Sequence, residues 1–409
     1  MTRDLAALRE RIAAISARPP APRRSPPEVG HCDGRRLPPG CVWEETPYGP
    51  IAVRRDRERG PEREGEEGAL EGIARFLAIA APDLARPCFL DTETTGLSGG
   101  TGTVAFLVGL AWPGEDGLEL AQYFLSELDQ EPALLWAVGE RLRVSGVLVT
   151  YNGRSFDWPL LQTRLAMTRA RSWPILPHVD LLGLVRRLFK PRLPDCTLRT
   201  VEAAVLALER EEDIPGALIP ARYFGWLSGT GAALEAVFRH NRQDVVSLAV
   251  LIARLDRILG GAERLDWTDR FARARYLEAC GFVDDALAEY RGLWQTGRPP
   301  QAGAVGVRLA RLLRRAGHWR EARAVLEACW ASHSYPYPAA IELAKLLEHD
   351  ARDLAGARRL VASALELIQV AAVVDARWRA DLERRRARLD RRLSKVGPIW
   401  ERLAVSPSA

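Results

Sequence analysis

The chain has 409 residues, 47% of them hydrophobic and 27% charged, an ordinary globular balance that excludes a collagen, a wholly disordered chain and a disulfide-built miniprotein. Its net charge of +5 rests on 58 Lys plus Arg against 53 Asp plus Glu. Only Lys190, Lys345 and Lys395 are lysines, and this arginine bias runs along the whole chain, so it is only a weak sign of a polyanionic partner. By region the charge is uneven: residues 1–86 sum to +1, 87–260 to −3 and 261–409 to +7.

Residues 1–40 begin with a short amphipathic helix, Leu5–Ala17, and continue as a Pro/Arg-rich linker that cannot bury a core. Residues 41–86 hold a β-hairpin around Val42–Val53 and a solvated charged run, Arg54–Glu67. From Pro87 the pattern changes to apolar runs of strand length, Cys88–Leu90, Val104–Trp112 and Leu118–Leu125. A helix over Glu131–Arg143 and a strand over Val147–Tyr151 follow. Helices are then expected from Asp157, which has Pro159 in its first turn, near Val179–Leu188, over Thr197–Glu209 and from about Ala232 to Leu259. Residues 87–260 therefore read as an α/β or α+β domain.

Residues 261–409 repeat themselves. Ala274-Arg275-Tyr276-Leu277, with Gly281 and Ala286, recurs 36 positions later as Ala310-Arg311-Leu312-Leu313, with Gly317 and Ala322. A third copy is Ala344-Lys345-Leu346-Leu347 with Ala357. A period near 34 with small residues at a helix crossing describes stacked helix pairs, which resemble tetratricopeptide repeats. The Trp and Tyr positions of that family are mostly not kept. Asp375–Lys395 reads as a charged, basic last helix.

Six cysteines, Cys32, Cys41, Cys88, Cys196, Cys280 and Cys329, form no Cys-x-x-Cys pair, and the first residues lack an apolar signal core. These features imply free thiols in a reducing cytoplasm. The apolar run Val104–Trp112 is of strand length and flanked by Gly, which argues against a membrane role. His31, Cys32 and Cys41 are too few and too widely spaced for a zinc site. Gly96–Gly102 is glycine-rich but lacks the Gly-Lys-Ser/Thr of a P-loop, and reads as a strand turn.

Three short runs carry the chemistry. In Phe89-Leu90-Asp91-Thr92-Glu93-Thr94, the period of two puts Asp91 and Glu93 on one face of a strand. Two anions side by side on a buried strand persist when something positive sits between them, and hard oxygen ligands suit Mg²⁺ or Mn²⁺. In Thr150-Tyr151-Asn152-Gly153-Arg154-Ser155-Phe156-Asp157, a strand passes through a Gly turn into a helix. Asp157 taken alone fits a helix N-cap as well as a ligand. In His240-Asn241-Arg242-Gln243-Asp244, spacing i, i+4 places His240 and Asp244 on one helical face, as a functional pair or a simple surface contact.

In this order the three runs resemble the DEDD 3′–5′ exonucleases of the RNase H-like superfamily, over roughly residues 87–260. The closer resemblance is to YprB-like proteins, through His178-Val179-Asp180-Leu181-Leu182, then Asp213-Ile214-Pro215-Gly216 with Pro220 and Tyr223, then His240-Asn241-x-x-Asp244-Val245. It implies an RNase H-like α/β fold, a mixed sheet flanked by helices and followed by the all-α repeats, in which Asp91, Glu93, Asp157 and Asp244 hold two divalent metal ions, Mg²⁺ or Mn²⁺. His240 is the candidate general base, although its distance to Asp244 is the one that the family's tyrosine subgroup uses. The implied function is a metal-dependent nuclease, specifically a 3′–5′ exonuclease with a two-metal mechanism. The alternative is a non-catalytic nucleic-acid-binding or adaptor protein with a vestigial nuclease domain.

Expected partners are single-stranded DNA or RNA and, through the repeats, a protein. Candidate substrate contacts are Thr94 and Asn152 beside the acids and the basic stretch Arg186, Arg187, Lys190, Arg192 and Arg199, which also fits a solvated helix face. Tyr151, Phe156 and Trp158 are candidates for stacking on a base. Asp180 reads equally as a residue behind the acids and as a helix cap.

Overall fold

The computed structural model describes residues 36–59, 70–77, 79–96, 102–210, 213–230, 233–297, 301–371 and 375–395. The expected helix Leu5–Ala17, most of the Pro/Arg linker, His31 and Cys32, part of the charged run after Arg54 and most of the Gly96–Gly102 turn lie outside the described residues.

The strands are β1 (Val42–Thr46), β2 (Gly49–Glu58), β3 (Pro87–Thr94), β4 (Ala105–Gly114), β5 (Gly117–Phe124), β6 (Val147–Thr150) and β7 (His178–Asp180). The helices of the same half are α1 (Glu71–Ala74), α2 (Ala81–Leu84), α3 (Glu131–Arg143), α4 (Asp157–Thr168), α5 (Leu181–Leu188), α6 (Leu198–Val201), α7 (Ile219–Leu227) and α8 (Glu235–Gly260). The chain divides into two compact units. One takes residues up to Ala74, Ala78–Leu182 and Val205–Arg254, and the other takes Arg75–Leu77, Gly183–Ala204 and Leu255 onward.

In the first unit one seven-stranded sheet has the order β1-β2-β5-β4-β3-β6-β7. The strands from β1 through β5 and β4 to β3 pair antiparallel, whereas β3–β6 and β6–β7 are parallel. The switch has a local cause. A tight turn joins β4 to β5 antiparallel, while α3 and α4 each carry the chain back to start the next strand in the direction of the last. β3 is central and almost wholly buried, so polar groups at its end stand in the interior of the sheet. A register shift between Glu93 and Thr94 ends its regular pairing with β4.

Aromatic rings pack the core against the sheet. The fully buried Tyr223 ring of α7 stacks on Phe106 of β4 at 4.0 Å between centroids and meets Phe124 of β5 edge-on, geometries that aromatic quadrupoles favour. Within the run expected as one helix over Thr197–Glu209, regular α-helix covers only Leu198–Val201. Wider π-type turns follow over Glu202–Leu206, and Ala207 then adopts a left-handed conformation at φ 55°. A π-type stretch is a local departure that residue periodicity does not encode.

The second unit is helical, with α9 (Trp267–Ala279), α10 (Val283–Thr296), α11 (Gln301–Arg315), α12 (Trp319–Ala331), α13 (Pro336–His349), α14 (Leu354–Val370) and α15 (Ala376–Lys395). The 36-residue period shows in its packing. Ala274, Ala310 and Ala344 are buried, as are Ala286, Ala322 and Ala357 in the following helices. Between the helices of each pair the backbone turns left-handed at Gly281 (φ 85°), Gly317 (φ 86°) and Arg352 (φ 55°). Glycine meets that requirement without strain at the first two turns. There Phe282 N–H donates to Leu277 O and His318 N–H to Leu313 O, the long bond that closes a helix C-terminus. Among the described residues no helix is long and apolar enough to cross a membrane, and Cys41, Cys88, Cys196, Cys280 and Cys329 are free thiols.

Candidate active site

The site forms where the end of β3 meets α8 and the start of α4. Asp91 and Glu93 both face α8: Asn241 Nδ2 donates to Asp91 Oδ2 at 2.9 Å, and His240 Nε2 stands 3.9 Å from Glu93 Oε1. Asn241 is fully buried, and its own carbonyl accepts from Gln122 Nε2 of β5 at 2.9 Å. Gln122 also donates to Phe238 O, at 2.8 Å, so one amide chain ties β5, α8 and β3 together. Gly109 of β4, the register partner of Asp91, makes room for it, since a Cβ there would lie 2.1 Å from Asn241 Oδ1.

Asp157 is the first residue of α4, and Phe156 holds the N-cap position without a side-chain bond. Its carboxylate is buried and Oδ1 accepts the hydroxyl of Thr92. The turn before it is organised by Asp180 at the end of β7. Asp180 accepts from Asn152 N–H at 2.8 Å, Arg154 N–H at 3.2 Å and Leu182 N–H at 3.1 Å, so it holds the turn and the start of α5 at once. Asn152 takes the left-handed conformation, φ 63°, that Asn tolerates well. Beside the turn, Thr150 Oγ1 and His178 Nε2 are 2.8 Å apart, and burial first, then Arg154, push the His178 pKa down to about 4.

One helical turn brings His240 and Asp244 together, with Nε2 3.8 Å from Asp244 Oδ2. Two residues outside the three motifs join them. Asp213 Oδ1 lies 2.6 Å from His240 Nδ1, and Arg210, whose side chain is only 6% exposed, donates to Asp244 Oδ1 and lies 3.5 Å from Asp213 Oδ2. Arg210 Nη1 also lies 3.3 Å from His240 Nδ1, so Asp213 and Arg210 meet one edge of the ring while Nε2 faces Glu93 and Asp244. Asp213 was visible in the sequence only as part of the Asp213-Ile214-Pro215-Gly216 run. Arg210 lay in the charged stretch Glu209–Asp213, which without the fold looks like solvated surface.

The electrostatics follow from this crowding. Asp91 is held well above the ordinary carboxylate range by burial first, then by the charges of Asp244, Glu93 and Asp157, while the Asn241 hydrogen bond works the other way. Glu93 is raised well above its usual range by burial, Asp244 and Asp157, against the opposing pull of Arg210. Asp157 rises to about 6 through burial, opposed by the Thr92 hydrogen bond. Four mutually repelling carboxylates with one buried guanidinium form a donor set that fits a hard divalent cation. Asp91, Glu93, Asp157 and Asp244 would be the residues to hold it, although among the described residues no group of three or more His, Cys, Asp or Glu is placed so that it could hold a metal ion.

The remaining candidates fall in two places. Thr94 is buried beside the acids and donates to Gly96 O at 2.8 Å. Arg186, Arg187, Lys190, Arg192 and Arg199 belong to the second unit. There Arg192 pairs with Asp269 at 2.8 Å, and the Arg187 guanidinium lies over the Tyr276 ring at 5.6 Å. Trp158 is engaged with Trp173 and His178.

A family model described as the RNase H superfamily matches residues 88–256, the stretch that carries the strands from β3 to β7 and all four acids. The chain is also 33% identical over 331 residues, 79% of either chain, to "Uncharacterized protein YprB" of Bacillus subtilis (strain 168). The chain therefore belongs to the family of YprB, and its residues 88–256 are an RNase H superfamily domain. Among solved structures it is similar to the family B DNA polymerase from the hyperthermophilic archaeon Pyrobaculum calidifontis, at 15% identity and a TM-score of 0.34. That match covers 57% of this chain and 34% of the polymerase, about a third of its length.

Proposed function

We propose that this chain is a metal-dependent nuclease, a 3′–5′ exonuclease acting on single-stranded DNA or RNA. The observation that carries the reading is the gathering of Asp91, Glu93, Asp157 and Asp244, far apart in sequence, in one buried site, where the charges of Asp244 and Asp157 raise both Asp91 and Glu93. A binder of polyanions would be better served by cations at that spot. The unit's negative charge is no obstacle, because an ion's own charge dominates such a site.

Two Mg²⁺ or Mn²⁺ ions held by these acids would activate a water and stabilise charge on the leaving oxygen of an in-line displacement. His240 Nε2 faces the same acids and serves as the general base that takes the water's proton. Asp213, 2.6 Å from the opposite ring nitrogen, holds the ring in place. Asn241 and Thr92 hold Asp91 and Asp157 in fixed orientations. The test is hydrolysis of a labelled single-stranded oligonucleotide with Mn²⁺ or Mg²⁺. Asp91→Asn and Asp244→Asn are each expected to abolish it, and full activity in either variant rules the site out.

One observation favours the second reading, a non-catalytic nucleic-acid-binding or adaptor protein. Arg210 already neutralises Asp244 from within the chain. Calorimetric titration separates the two, since a vestigial site would bind no divalent ion at millimolar concentration.

A further inference from the structure

In the helical unit α11, α13 and α15 pack side by side, and their acids and cations are sorted by depth. Glu348 of α13 has a side chain that is 0% exposed, with Arg385 Nη1 and Arg388 Nη2 each 2.7 Å from it and Arg392 Nη1 at 3.7 Å. Arg388 and Arg392 remain 44% exposed above it. Glu342, 8% exposed, likewise lies beneath Arg311 at 49% and Lys345 at 35%. Both acids are hidden, and of the five cations that bind them only Arg385 is buried with them, so these helices present positive charge at their surface.

The flank of α15 beside Glu348 extends this surface. Arg384, Arg388, Arg391 and Lys395 follow at spacings of four, three and four residues, one face of a helix with a cation roughly every 5 Å along its axis. Asp381, 35% exposed and 3.8 Å from Arg384, is the acid nearest that flank. The opposite flank alternates sign through Arg379, Glu383, Arg386 and Asp390. The intervening helices differ too: Arg323 and Glu327 of α12, 42% and 49% exposed, face solvent with both charges, and Arg358 of α14 is paired with Asp390 on the opposite flank of α15.

We infer that the face formed by α11, α13 and α15 is a binding surface for the phosphodiester backbone of a nucleic-acid strand. Charge complementarity selects a polyanion, and guanidinium forks suit phosphate oxygens. The choice of nucleic acid over an acidic protein rests on the proposed nuclease activity of the same chain. A surface of this kind would hold a strand on a chain that also cleaves it, and tethering of that sort raises effective concentration without new contacts at the cleavage site.

The experiment uses the full chain in EDTA, so that binding is read without hydrolysis. Anisotropy of labelled single-stranded DNA and RNA of about 30 nucleotides is followed over roughly 50–300 mM KCl. Replacing Arg384, Arg391 and Arg392 with Gln is expected to lower the slope of log affinity against log salt by about 2, since each lost contact on a single strand removes about 0.7. A charge-matched triple on α12 and α14, Arg320→Gln, Arg323→Gln and Arg359→Gln, is expected to leave the slope unchanged. Arg311→Gln with Arg315→Gln on α11 is expected to lower it by about 1.4, and decides the matter if the α15 triple does not fold. Equal losses in both triples, an unchanged slope in the α15 and α11 variants, or binding of a polyglutamate peptide but of no oligonucleotide would each overturn the inference. Oligonucleotide binding without metal-dependent hydrolysis would count against the nuclease reading alone. Hydrolysis with unaltered binding in the α15 and α11 variants would count against this surface alone.

Discussion

Both units bury acids, and they treat them in opposite ways. In the helical unit Glu348 meets three guanidinium groups and Glu342 meets two cations. Burial raises Glu342, but Lys345 and Arg311 outweigh it and leave its carboxyl below the ordinary range. At the end of β3, Asp91, Glu93, Asp157 and Asp244 are gathered with the one guanidinium of Arg210, and the first three are pushed upward. The helical cluster is electrostatically complete within the chain. The other has a deficit of positive charge built in, which is a reason to look there for chemistry and to read the helical cluster as structure.

The largest expected effect breaks the comparison on its catalytic side. Asp91→Asn or Asp244→Asn should lower metal-dependent hydrolysis by on the order of 10³-fold or more, as removal of members of a cooperating catalytic set does. The same chains should keep their folded circular dichroism spectrum. On the structural side, Arg385→Leu strands Glu348 with two half-exposed partners and should cost about 3 kcal/mol in urea unfolding. A loss near zero would mean that Glu348 is not held as the geometry suggests.

A substitution of opposite sign sharpens the contrast. With divalent ions removed, Glu93→Gln takes away one of the repelling charges and should stabilise the chain by about 1 kcal/mol. Mn²⁺ should then raise its melting temperature less than that of the unsubstituted protein. An equal rise in both would show that Glu93 does not help to hold the ion.

The smallest effect concerns His178, whose folded pKa of about 4 lies below the ordinary 6.5. The folded state keeps this ring neutral while the unfolded chain protonates below pH 6.5. The stability it contributes is therefore full above that value and is lost as pH falls toward 4. Partial exposure reduces the amount to about 1 kcal/mol. His178→Gln, which can keep a bond to Thr150, should flatten that part of the pH–stability curve and leave neutral pH almost unchanged.

Much of the architecture was legible because it is periodic. The hairpin over Val42–Val53, the strands from Cys88 to Leu125, the helix Glu131–Arg143 and the 36-residue period all rest on spacing of apolar or small residues. The acids at 91, 93, 157 and 244 were legible as motifs for a related reason, since each sits at a strand end or helix turn with a recognisable rhythm. Arg210 and Asp213 were not. They act on residues some 30 positions away, and nothing in a run such as Glu-Arg-Glu-Glu-Asp distinguishes a solvated loop from one folded into a site. The basic stretch from Arg186 to Arg199 was read as part of the α/β domain because it lies between its motifs in the sequence. Its residues pack instead with the helical unit, where Arg192 is bound to Asp269.

Gly109 carries no functional group, yet the orientation of Asp91 depends on it. Asn241 reaches Asp91 only because the facing strand position has no side chain, and even a methyl group would occupy the place of its carbonyl oxygen. Along this strand, then, chemical inertness is no guide to tolerance. An alanine at this position would act as a wedge, displacing an amide and through it a carboxylate.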